Sequence, residues 1–133
     1  MRDALAVMAG GAVGSLSRWL VSGFIASFPW AASFPCGTLI VNISGSFAIG
    51  VLAGILGDSG VLDAPQGVRS LLIVGFLGGF TTFSAFSIQT LDLARSSAWG
   101  SACMNIILHV SLGLFAVWLG SATAQWLNGQ TFK

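Results

Sequence analysis

The chain alternates between long apolar runs and short polar or turn-forming stretches, and four of the runs are long enough to cross a bilayer. A helix rises about 1.5 Å per residue, so about 20 apolar residues cover roughly 30 Å of hydrocarbon. Residues 4–28, 38–56, 69–91 and 101–126 meet that length, and the pattern predicts four transmembrane helices in a single domain over residues 1–133. Between the first two, Phe28, Pro29 and Trp30 lead on to Pro35, so two prolines stop the helix and Trp30 suits a membrane interface. The second break carries Asp58, Ser59, Gly60, Asp63, Ala64, Pro65 and Gly67, a polar, turn-rich stretch. The third is short, around Arg95 to Gly100. Arg2 followed by an apolar run resembles the start of a secretory signal, but Arg18 and several glycines interrupt it and three further spans follow, so it reads as a membrane helix.

Composition makes lipid the solvent. Of 133 residues 55% are hydrophobic and 7% charged, and mean hydropathy is +0.90, outside the range of a domain with a wetted surface. The fold class is all-α integral membrane. With four spans, Arg2, Arg69 and Lys133 fall on one side, with Arg95 and Arg18 toward the other. The Lys/Arg bias that sets orientation is therefore weak, which permits insertion both ways up and an antiparallel pair of opposed copies. Gly10 and Gly14, Gly50 and Gly54, and Gly75 and Gly79 each have the GxxxG spacing of closely approaching helices, and the three together favour tight assembly. Cys36 and Cys103 are expected to be buried small apolar residues, not a bridge or a metal pair.

Polar groups at membrane depth mark the candidate chemistry. Thr38, Asn42 and Ser46 recur every four residues on the second helix and so share one face; Ser101, Asn105 and His109 repeat the spacing on the fourth. Such stripes either bond helix to helix or line a pathway, and Asn and His at depth favour a pathway. On the third helix, Gly78 and Gly79 followed by Thr81 and Thr82 make a poor helix interior, so a break is predicted near Gly78 to Thr81. A break would free carbonyls at the midplane, which a small hard cation such as sodium would satisfy; close packing at the Gly-Gly pair is the other reading. Phe83 and Phe86, at i and i+3, share a face beyond the break. Their ring edges carry positive potential, so they either pack or line an anion route without a trapping charge. Ser84, Ser87 and Thr90 add hydroxyls, and Arg18 either snorkels or stands at an anion vestibule.

Three ordered motifs carry a family likeness: Gly10-Gly11-Ala12-Val13-Gly14 through Arg18; Gly37-Thr38-Leu39-Ile40-Val41-Asn42 with Gly45-Ser46-Phe47; and Gly75 to Phe86 with Thr81-Thr82-Phe83-Ser84-Ala85-Phe86. In these the chain resembles the Fluc (CrcB) fluoride channels over nearly its whole length. The resemblance implies a dual-topology antiparallel homodimer with two fluoride pores in the bacterial plasma (inner) membrane, and a structural sodium ion at the dimer interface. By motif position Gly78 and Thr81 would supply sodium's backbone oxygens, and Phe83 and Phe86 would be the pore phenylalanines. Asn42 would donate to the pathway or its lining, Thr82 and Ser84 would be pore-side polar groups, and Arg18 would sit at the vestibule. Two departures bear on the outer path: Gln89 stands where many members carry glutamate, and no tyrosine is available on the fourth helix, where Asn105 and His109 take over the polar track.

The implied function is passive fluoride efflux that protects cytoplasmic enzymes from fluoride entering as its neutral acid. A proton-coupled exporter of drugs or guanidinium would want a membrane-embedded carboxylate, yet Asp3 is terminal and the chain has no Glu. A non-transporting membrane subunit would explain the GxxxG spacings but not the polar and aromatic lines. An enzyme is not expected, since one His, scattered Asp and two lone cysteines form neither a triad nor a metal site. No nucleic-acid partner is expected.

Overall fold

A computed structural model describes residues 1–57 and 62–129. Asp58, Ser59 and Gly60 of the second polar stretch and Lys133 of the charge pattern lie outside the described residues. Among the described residues four helical spans are long and apolar enough to cross a membrane, and each agrees with its predicted segment to within four residues. They are α1 (Arg2–Ala26), α2 (Cys36–Leu56), a third span over Gln66–Arg95, and α5 (Trp99–Leu127). The third span is divided. Its first rod, α3 (residues 66–80), begins with an α-turn at Gln66–Arg69, runs as π-helix through Ser70–Leu77 and closes with a turn at Gly78–Phe80. Its second rod is α4 (Phe83–Arg95).

The connections follow from local chemistry. After Ala26 a 3-10 turn at Pro29–Ala31 carries Trp30, stacked on Phe28 at 5.9 Å between ring centroids, and Pro35 precedes the first residue of α2. Between α4 and α5 the chain reverses within three residues. The N–H of Ala98 bonds the Leu93 carbonyl and that of Ser97 bonds the Ala94 carbonyl, the two bonds of a Schellman cap, with Ser97 left-handed at φ 61°. A residue with a Cβ costs about 1–2 kcal/mol in that conformation. Ser97→Gly is therefore expected to stabilise the protein by roughly 1 kcal/mol, read as a raised thermal midpoint in detergent.

Two close helix pairs build the body. α1 lies along α3 and α2 along α5, and in both pairs glycine lets backbone touch backbone. A Cβ on Gly10, Gly14, Gly75 or Gly79 would strike the backbone of the facing helix across the α1–α3 seam. Gly50 and Gly120 do the same for α2 and α5, while Gly54 abuts the Ala124 side chain. The three GxxxG pairs, expected to favour tight assembly, are thus taken up by packing inside one chain. A methyl on Gly120 would meet the Phe47 carbonyl, which cannot move without moving α2. Gly120→Ala is expected to cost about 1–3 kcal/mol, as overpacking does. Gly100→Ala, with nothing within 4 Å, should leave the melting temperature nearly unchanged.

The break hands the chain from one pair to the other: α3 packs on α1, whereas α4 packs on α5. It falls at the C-terminal end of the stretch predicted, Gly78 to Thr81. Thr81 (φ −81°, ψ 159°) and Thr82 (φ −153°, ψ 115°) are extended, whereas Gly78 to Phe80 is still helical. The β-branched threonines make the interruption, as their stiffness in a helix would favour. Gly79 is the close-packing glycine, seated against Gly11, and Gly78 is exposed with open space before it. The cysteines depart from expectation, since Cys103 is exposed and Cys36 only half-buried; both are free thiols.

Candidate functional site

Asn42 holds the break. Its Oδ1 accepts the N–H of Thr82 at 2.8 Å and its Nδ2 donates to the Thr82 carbonyl at 3.0 Å, so one amide replaces both backbone partners that an interrupted helix loses. Unsatisfied backbone groups cost several kcal/mol each in hydrocarbon, which explains an asparagine at this depth. One hydrogen of the Asn42 amide is left over by these bonds. Gly45, a turn further along α2, gives the break its seat, because a Cβ there would press on the Thr81 methyl.

Several other groups at the break find partners nearby. Thr81 sends its backbone N–H and its hydroxyl to the Leu77 carbonyl, both at 2.9 Å, and its own carbonyl accepts from Arg18 Nη1 at 3.1 Å. Arg18 therefore does not simply snorkel; it reaches inward to the broken helix. Thr82 Oγ1 caps α4 by accepting from the Ala85 N–H at 3.2 Å, and it lies 3.2 Å from Ser84 Oγ. The N–H of Thr82 would reach the Gly78 carbonyl in a continuous helix; here it goes to Asn42, so that carbonyl loses its helical donor.

Two cavities open on either side of this junction. The larger, about 1170 Å³, is a wide vestibule walled by Arg18, Ser22, Thr38, Ser84, Gln89 and Asp92 among others. The smaller, about 460 Å³, is a cleft that contains Asn42, Ser46, Gly78, Thr81, Phe83, Phe86 and His109. Thr82 lines both. The predicted residues therefore come together, with Arg18 and Ser84 on the vestibule side, Asn42, Phe83, Phe86 and His109 in the cleft, and Thr82 at the junction. The α2 stripe runs the same way, from Thr38 in the vestibule through Asn42 to Ser46 in the cleft.

The phenylalanines share a face as expected, with ring centroids 5.3 Å apart at 53°, and Phe86 continues to the His109 ring at 4.5 Å and 40°. Phe83 is 78% exposed in the single chain, a large apolar ring left open at the mouth of the cleft. Two of the predicted hydroxyl donors are not free: Ser87 donates to the Phe83 carbonyl at 2.9 Å and Thr90 to the Phe86 carbonyl at 2.7 Å. Thr90 Oγ1 in turn accepts from Asn105 Nδ2 at 2.8 Å. Asn105, wholly buried, thus ties α5 to α4, and neither it nor Ser101 lines either of these two cavities, so the α5 stripe divides into a structural half and a cleft half at His109. The Asn105–Thr90 bond escaped the sequence reading because two polar residues 15 positions apart on different helices carry no local signal. Gln89, a departure from the family pattern, has its Oε1 buried without a partner among the described residues, at the vestibule wall.

The donors available to a metal here are backbone oxygens. No group of three or more His, Cys, Asp or Glu comes together among the described residues. Gly78 and Thr81 both border the cleft; the carbonyl of the first is without its helical donor and that of the second has one lone pair beyond its bond to Arg18. Neutral carbonyls suit a hard cation of low charge.

Comparison with known proteins bears on the same residues. The family model described as CrcB-like protein, Camphor Resistance (CrcB), matches residues 5–121. The fluoride-specific ion channel FluC of Opitutus terrae is 44% identical over 124 residues, covering 93% of each chain. That of Rhodospirillum rubrum is 46% identical over 124 residues, 93% of this chain and 95% of the relative. FluC of Hydrogenobaculum sp. is 44% identical over 116 residues, 87% and 92% of the two chains. All three matches include the broken third span and the cleft by their extent.

Proposed function

Since the chain belongs to the CrcB family, we propose that it is a fluoride-selective channel, not an enzyme, which lets fluoride leave the cytoplasm passively across the bacterial inner membrane. The observation that carries this reading is the junction at Thr82, where a vestibule bearing Arg18 meets an aromatic cleft across a backbone break held by one asparagine. Arg18 draws anions to the mouth, and the leftover Asn42 hydrogen with the Ser84 and Thr82 hydroxyls offers donors that replace water around a small hard anion. The edges of Phe83 and Phe86 pass the ion on without a fixed charge to hold it. Chloride, larger and more diffuse, gains less from the same donors. Expression in bacteria made fluoride-sensitive tests the function: growth in fluoride should be restored, and failure of a well-expressed protein to restore it would contradict the proposal.

The working unit is an antiparallel homodimer of oppositely inserted copies. Weak Lys/Arg asymmetry allows both insertions, and one chain alone leaves Phe83 and Gly78 open and the cleft without a complete wall. Two copies bring four carbonyls, Gly78 and Thr81 of each, which would hold a sodium ion; the cation would supply electrostatic cross-linking between the broken helices. Replacing sodium with a bulky organic cation throughout purification is expected to lower fluoride flux several-fold, and restoring sodium to recover it. Flux indifferent to the exchange would remove the ion from the design.

A further inference from the structure

His109 is the chain's one histidine, and it lies in the cleft beside Phe86. Its Nδ1 is 3.0 Å from the Asn105 backbone carbonyl, one turn back on α5. A carbonyl only accepts, so Nδ1 must carry the proton, and in the neutral ring Nε2 then carries a bare lone pair. That nitrogen is buried and meets no hydrogen-bond partner among the described residues. A lone pair offers an anion nothing but repulsion. The same nitrogen, once protonated, is a cationic N–H donor.

We propose that His109 is a proton-dependent anion ligand of the cleft: neutral, it opposes occupancy by fluoride; protonated, it donates Nε2–H to the ion. The inference rests on the fluoride-channel reading above and adds a regulator to it. The tautomer is fixed by a backbone group, so no rotation of the Asn105 side chain can undo it. The Phe86 ring, 4.5 Å from the imidazole, lies within the distance over which an aromatic ring interacts with a cation. No other group competes for the charge. The residues sharing the cleft on α2 and α3 are Asn42, Gly45, Ser46, Ile49, Ile73, Val74, Leu77 and Gly78, none titratable. Phe86 faces it from α4, whose charged residues Asp92 and Arg95 lie 3.7 Å from each other. From α1, Arg18 is engaged with the Thr81 carbonyl on the vestibule side. Protonation therefore adds the cleft's own positive charge, and an imidazolium that titrates can release the ion where a guanidinium would keep it.

Linkage supplies the test. If fluoride prefers the protonated ring, fluoride must raise the pH at which the ring titrates, to the same degree that protonation raises fluoride affinity. The ring nitrogens of this single histidine can be followed by NMR of nitrogen-15-labelled protein in lipid, with sodium fluoride or sodium chloride added. We expect fluoride to move the titration midpoint upward and chloride to move it less. In vesicles, with leak through protein-free lipid subtracted, fluoride flux should rise several-fold from about pH 8 to about pH 5.5, the range in which histidine changes charge. In His109→Gln the slope should vanish whatever the absolute rate. A midpoint indifferent to fluoride, or an equal pH slope in the native chain and in His109→Gln, would overturn the inference and leave the channel reading standing. Absence of fluoride flux at every pH would overturn both.

Discussion

Replacing Asn42 by alanine should lower fluoride flux by at least about a hundredfold. The substitution removes both bonds to Thr82, at 2.8 and 3.0 Å, and leaves a backbone N–H and a carbonyl without partners at membrane depth. Each orphaned group costs about 1–3 kcal/mol, and about 1.4 kcal/mol is tenfold in an equilibrium. The broken segment has one inexpensive way to recover, which is to resume the helix through Thr81 and Thr82. That returns the Thr82 N–H toward the Gly78 carbonyl, removes the cap on α4 and moves Phe83 and Phe86 out of register with His109. Flux in vesicles checks the prediction, with thermal stability in detergent measured alongside. A folded Asn42→Ala protein that conducts normally would show that the asparagine only packs.

Phe86→Ile should slow fluoride by about tenfold or more while leaving the protein folded. Isoleucine keeps most of the apolar bulk but has no ring edge, so packing survives and the electropositive rim does not. Phe86 touches both Phe83 and His109, whereas Phe83 is mostly open in the single chain, so both the aromatic line and its link to α5 pass through Phe86. Phe83→Ile should also slow flux, and the pair of variants should show non-additive effects because the rings are in contact. Unchanged flux in both variants would end the case for an aromatic-edge pathway.

The parts of this molecule that depend on periodicity were readable from the chain alone. Charge-free runs locate the spans, four-residue spacing puts Thr38, Asn42 and Ser46 on one line, and three-residue spacing brings Phe83 to Phe86. What was not readable depends on partners that meet only across space. The glycine pairs suggested closely approaching helices without naming the pairs; their partners are the facing helices of the same chain, and spacing cannot say which surface a small residue serves. The hydroxyls of Ser87 and Thr90 looked free because a bond from i to the i−4 carbonyl leaves no mark on composition. The π-helix over Ser70–Leu77 has no sequence signature of its own, and its apolar residues fit an α-helix equally well. Ser97 likewise takes a left-handed position that glycine would have advertised. Asn42 shows both cases: its depth in an apolar run marks it as a candidate, but its two bonds to Thr82, 40 positions away, leave no sign in the spacing.

Fluoride efflux from vesicles containing the purified protein, followed with a fluoride electrode and paired with the same experiment for chloride, tests the central claim most directly. Rapid release of fluoride with little release of chloride is the predicted result. A folded protein that leaves fluoride trapped, or that releases chloride as fast, would contradict it.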